Sequence, residues 1–112
     1  MIIKNTDYEI DLSAPNSANI SGILRKKETS DYEEVFAPII QKIEEATDTF
    51  RINITKLTLC NSRGITFFGR LILVAKRRDL AIHFIGDSQI PWQKKSISSL
   101  NKLWYKAHIE LT

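Results

Sequence analysis

The chain predicts a single α/β domain, a mixed sheet of four to five strands packed by about three helices. Segments that alternate polar and apolar residues give way to segments whose apolar residues recur every three or four positions, the two periods that separate strands from amphipathic helices. After an initial strand pair the two kinds of segment take turns along the chain, as in a sheet whose strands are joined through helices. A length of 112 residues suffices for one hydrophobic core and leaves no room for a second, so the domain spans residues 1–112.

Thr6 to Leu12 alternates, and Ala14-Pro15-Asn16-Ser17 is a turn signal before Ala18 to Leu24, which predicts an antiparallel hairpin. Ser30-Asp31-Tyr32-Glu33 fits a capping box, followed by Val35, Phe36, Ile39, Ile40 and Ile43 at helical spacing. Pro38 lies inside that helix and removes one backbone hydrogen bond, so a kink or a separate first turn is expected there. A strand from Phe50 to Cys60 leads into a second helix over about Ser62 to Arg77, apolar around most of its circumference and therefore largely buried. Leu80 to Ile85 reads as a strand stopped by Gly86-Asp87-Ser88. A third helix has Pro91 near its start and carries Ile97, Leu100, Leu103 and Trp104 on one face, and Ile109-Glu110-Leu111 forms a short edge strand.

Composition bounds the function. The start of the chain lacks an apolar run with a small-residue cleavage site, and no segment approaches the roughly 20 apolar residues of a membrane span, so a cytoplasmic protein is expected. Cys60 is alone, which excludes an intramolecular disulfide and a cysteine metal cluster and leaves a buried small hydrophobe or a reactive thiol. The net charge of +3 conceals a segregation: residues 28–48 hold seven acids against Lys42, while residues 63–106 hold nine bases against Asp79 and Asp87. Opposed surfaces of this kind suit docking to a complementary protein or a phosphate-bearing ligand, or serve as solvated helix faces.

Chemistry-bearing residues concentrate at Leu59-Cys60-Asn61-Ser62-Arg63-Gly64-Ile65, a strand-to-helix turn where backbone N–H groups point outward. Ser62 is there either a helix cap or a phosphate acceptor. Beyond it, Arg63, Thr66, Arg70, Leu73 and Arg77 fall on one stripe of the second helix, basic with one apolar anchor, and form with Asn61 the candidate partner surface. Trp92 is a staple over the core or an exposed contact, and Gln93 and Lys94 form a second tier of surface candidates. His83 and His108 have no spacing that places two ligands on one face, no glycine-rich loop follows a strand, and no Ser-His-acid set is readable. No catalytic residue, metal site or cofactor is assigned, and no enzyme activity is expected.

The serine turn, read as Asn61-Ser62-Arg63-Gly64-Ile65, resembles the Asp-Ser-Ser/Thr-Gly-Leu/Ile pattern of the STAS superfamily, the domain of sulfate transporters and anti-sigma-factor antagonists. Ile20-Ser21-Gly22-Ile23-Leu24-Arg25, Asp31-Tyr32 through Ala37-Pro38-Ile39, and Gln89-Ile90-Pro91-Trp92-Gln93-Lys94-Lys95-Ser96 resemble segments of a bacterial STAS-like regulator subgroup with an Ile-Pro-Trp-Gln segment. The resemblance implies a non-enzymatic switch in signal transduction and transcription regulation. Such a protein binds a GHKL-type serine kinase or anti-sigma factor, is phosphorylated on the turn serine and is reset by a PP2C-type phosphatase. Three positions depart from the superfamily pattern: Asn61 replaces the usual acid, Arg63 the usual small hydroxyl residue, and the acid usual near Asn53 is missing. Arg63 suits a phosphate clamp or a pair with a partner's acid, and equally a serine that is no longer a kinase substrate. The competing reading of a protein with an isoelectric point near 9.1 is a basic nucleic-acid-binding module. That would need exposed aromatics on a sheet, whereas Tyr8, Phe50 and Phe84 do not form an aromatic RNP-like pair and the first helix is strongly acidic.

Overall fold

The computed structural model describes residues 1–112. Strands β1 (Ile2–Lys4), β2 (Tyr8–Asp11) and β3 (Ser17–Leu24) precede helix α1 (Thr29–Glu45). Strand β4 (Phe50–Cys60), helix α2 (Ser62–Arg77), strand β5 (Ile82–Gly86), helix α3 (Pro91–Ser96), a 3₁₀ helix (Ile97–Leu103) and strand β6 (Ala107–Leu111) complete the chain. The six strands lie in sequence order in one sheet, antiparallel from β1 to β3 and parallel from β3 to β6. Right-handed crossovers that advance in one direction place every helix on the same face. Accordingly α1 packs on α2, and α2 on the 3₁₀ helix.

Alternation in the strands follows from this two-layer arrangement. Ile10, Ile20, Phe50, Ile52, Ile82 and Phe84 point to the helices and are buried, whereas Glu9, Asn19, Arg51, Asn53 and His83 line the open face. Tyr32 and Phe36 of α1 meet Phe67 and Phe68 of α2 in one aromatic cluster, with Phe68 edge-on to Phe84 at 5.8 Å. No helix is long and apolar enough to cross a membrane.

Several expectations are corrected. The sheet has six strands, because three residues, Ile2–Lys4, pair antiparallel with Asp11–Glu9; so short a strand with an exposed Ile2 shows no period. Helix α1 starts at Thr29 with Glu28 in the cap position and no side-chain cap, so Ser30 lies inside the first turn and forms no capping box. Pro38 does not divide α1; Glu34, whose carbonyl loses the donor, is exposed. The third helix breaks into α3 and the 3₁₀ helix, whose three-residue turn aligns Ile97, Leu100 and Leu103. Leu100 and Leu103 lie over Gly69 of α2, where a Cβ would come within 3.3 Å of Leu103.

Gln93 is also corrected: it is fully buried and no surface candidate. Strand β4 pairs with β5 only over Phe50–Asn53, so beyond Asn53 the carbonyls on its β5 side have no strand partner, while β3 continues along the other side to Cys60. Gln93 Nε2 donates to the carbonyls of Ile54 at 2.7 Å and Leu57 at 3.0 Å, and Trp92 Nε1 donates to Leu57 at 2.9 Å. The Ile-Pro-Trp-Gln segment thus replaces missing ladder bonds. Trp92 is half-buried and stacks on Phe68 at 6.3 Å, the staple rather than the exposed contact. Lys94 is exposed.

Candidate functional site

At the carboxyl ends of the parallel strands β3 and β4, the β3–α1 loop and the start of α2 are tied together by one polar network. Asn61 caps α2: its Oδ1 accepts from the Gly64 N–H at 3.1 Å and from the Tyr32 hydroxyl at 2.7 Å. Its Nδ2 donates to the Lys26 carbonyl at 2.9 Å, and the Lys26 N–H donates to Tyr32 Oη at 3.2 Å. Gly64 permits the close approach, since a Cβ there would sit 2.5 Å from Cys60 Sγ and 3.0 Å from Tyr32 Oη. Asn61, counted among partner contacts in the sequence, has its side chain spent inside this network.

Ser62 is therefore not the cap. It occupies the first helical position, exposed, with its carbonyl accepting from Thr66 Oγ1 at 3.1 Å. The N–H groups of Ser62 and Arg63 have no intrahelical acceptor. Ser62→Ala is accordingly expected to change stability by less than about 0.5 kcal/mol, whereas Asn61→Ala, losing the cap and leaving the Tyr32 O–H donor and the Lys26 carbonyl without their Asn61 partner, should cost about 2 kcal/mol. Urea denaturation of the two variants checks the assignment, and equal losses would refute it.

Around Ser62 lies an open depression of about 640 Å³ lined by Lys26, Lys27, Thr29, Arg63, Thr66 and Arg70, with Phe67 its only apolar member. No carboxylate lines it, and bases converge on the serine from two chain segments. The Arg63 guanidinium donates to Thr29 Oγ1 across the gap between α2 and α1, and the Arg70 guanidinium stacks 4.2 Å over the Phe67 ring. Lys26, Lys27 and Thr29 went unrecognised in the sequence; they reach Ser62 only because β3 is the parallel neighbour of β4. The expected stripe of α2 is present, with Arg63, Thr66, Arg70, Leu73 and Arg77 all exposed and Leu73 open to 40 %.

Cys60, at the end of β4, is buried under Gly64, and burial pushes its thiol up from 9.0 to about 12. It behaves as a small hydrophobe. Burial also raises the Tyr32 hydroxyl from 10.0 to about 12, partly opposed by the bond from the Lys26 N–H. Both acids ionise more readily in the unfolded chain, which therefore binds fewer protons above about pH 9, so stability should fall as pH rises toward 12. Denaturation midpoints between pH 8 and 11 test this; a flat profile would place both groups in contact with water.

His83 and His108 are corrected as well. They are register partners on β5 and β6 and share the open sheet face, with ring centroids 6.5 Å apart and His83 Nε2 3.3 Å from Glu110. Their adjacency is a product of topology that sequence spacing does not carry. Tyr8, Phe50 and Phe84 all point into the core, so none offers a ring on the open face for a base to stack on. No protein-family model matches the chain, and the search of curated proteins returns no match.

Proposed function

We propose that the protein is a cytoplasmic, non-enzymatic regulatory switch of the anti-sigma-factor-antagonist type, a STAS-like domain that binds a GHKL-type serine kinase or anti-sigma factor through α2. Ser62 is its phosphate acceptor, and a PP2C-type phosphatase resets it. The observation that carries this reading is the position of Ser62: exposed, unencumbered by capping and at the head of an exposed Arg63-Thr66-Arg70-Leu73-Arg77 stripe.

The physics of the position supports a switch without refolding. A phosphoserine carries roughly −1.5 to −2 charges, and at the first helical position those charges meet free N–H donors and the positive end of the helix dipole. Here they also meet Arg63, Arg70, Lys26 and Lys27 across the depression. Phosphorylation would neutralise a basic surface while leaving the Asn61–Tyr32 network in place beneath it. A partner whose acids pair with the stripe loses them as counter-charges and gains a dianion to desolvate. Transfer of labelled phosphate from ATP by a GHKL-type kinase captured with the wild-type chain, present for wild type and lost in Ser62→Ala, tests the assignment. Labelling that survives Ser62→Ala would overturn it.

A further inference from the structure

The two helices that carry the segregated charge lie side by side. Helix α1 turns Glu33, Glu34, Ala37, Gln41, Glu44 and Glu45 to solvent, and the neighbouring α2 turns out Arg63, Arg70, Lys76 and Arg77 around Leu73. Both helices connect neighbouring parallel strands and pack on each other, so they run in the same direction on one face of the sheet. An acidic stripe and a basic stripe thus stand next to each other, parallel, on the same surface.

A twofold axis running along the groove between them would lay α1 of one copy over α2 of the other and, in the same operation, α2 over α1, with helix directions preserved. The complementarity is then satisfied twice and the assembly closes at two subunits, as an isologous contact requires. The spacing along the helices agrees. At 1.5 Å per residue, Glu33/Glu34 and Glu44/Glu45 are about 16 Å apart, and so are the midpoint of Arg63 and Arg70 and the position of Arg77. Leu73 then falls against the middle of the opposite α1, near Gln41 and the half-buried Ile40.

From this match of charge and spacing we infer that the helical face binds a second copy of the chain, in a symmetric dimer pairing the acidic stripe of each α1 with the basic stripe of the other α2. This reading needs neither a phosphate on Ser62 nor a foreign partner, and a partner that docks on the α2 stripe competes with the second copy.

Sedimentation velocity of the purified chain over 1–300 μM decides the matter. At 50 mM salt a monomer–dimer equilibrium is expected, weakened at least tenfold at 500 mM salt because exposed charges carry it. Glu33→Lys/Glu34→Lys and Arg63→Glu/Arg70→Glu should each be monomeric, since either change sets like charges against each other at both contacts. Mixed one to one, the two variants should form a dimer, because each contact then pairs opposite charges again. That rescue also shows that both variants are folded, and the wild-type salt series stands without them. A wild-type chain monomeric at 300 μM and 50 mM salt would overturn the inference. So would a dimer indifferent to both reversals, a mixture that stays monomeric, or association that grows past two copies.

Discussion

Alanine at position 93 is expected to lower stability by about 3 kcal/mol, a drop in melting temperature of roughly 10–20 °C for a domain of this size. Gln93 is a fully buried polar side chain with all its hydrogen-bonding atoms engaged. Its Nε2 supplies the carbonyls of Ile54 and Leu57, and its Oε1 accepts from the Asp87 N–H at 2.8 Å. Removing the amide strands the Ile54 carbonyl and the Asp87 N–H, whereas Leu57 keeps the bond from Trp92. Each stranded group costs about 1–3 kcal/mol, and the vacated volume adds to the loss. Gln93→Met, which keeps the volume and loses the bonds, should retain most of the cost. A loss under about 1 kcal/mol in guanidinium denaturation would mean that water takes over the amide's role.

The fate of this residue shows what the sequence carries and what it does not. Helical and strand periods located β4 and α2 at their observed bounds, because each is long, strongly patterned and ended by Asn61 or by the charged run Lys76-Arg77-Arg78. Gln93 shows no period; its burial follows from β5 being shorter than β4, a property of two strands distant in the chain. Similarly, Ser62 and its stripe were legible as a turn and a 3.6-residue repeat, while Lys26 and Lys27 entered the site only through the parallel pairing of β3 with β4. Of the two roles open to Ser62, the cap falls to Asn61 instead: both residues are good caps by type, and Tyr32, twenty-nine residues before Asn61, settles the choice by hydrogen-bonding to Asn61.

That settled cap sharpens the expected behaviour of Ser62 variants toward the proposed kinase-like partner. Ser62→Ala should bind as wild type and refuse phosphate, with little loss of stability, since the helix start is held by Asn61. Ser62→Asp should remain folded, its carboxylate placed where free N–H groups and Arg63 receive it, and bind about tenfold more weakly. The phosphorylated chain, with up to twice the charge, should lose more, on the order of a hundredfold. Leu73→Ala and Arg70→Glu, which truncate the anchor and reverse a charge of the stripe, should each cost about 1–4 kcal/mol of binding without unfolding the domain. Calorimetric titration at chain concentrations below self-association separates these effects from dimer dissociation. Equal affinity for wild type and Ser62→Asp, with Leu73→Ala weakened, would keep α2 as the contact face and remove the serine from its control, because a charge at the head of the helix that the partner does not feel cannot be its switch.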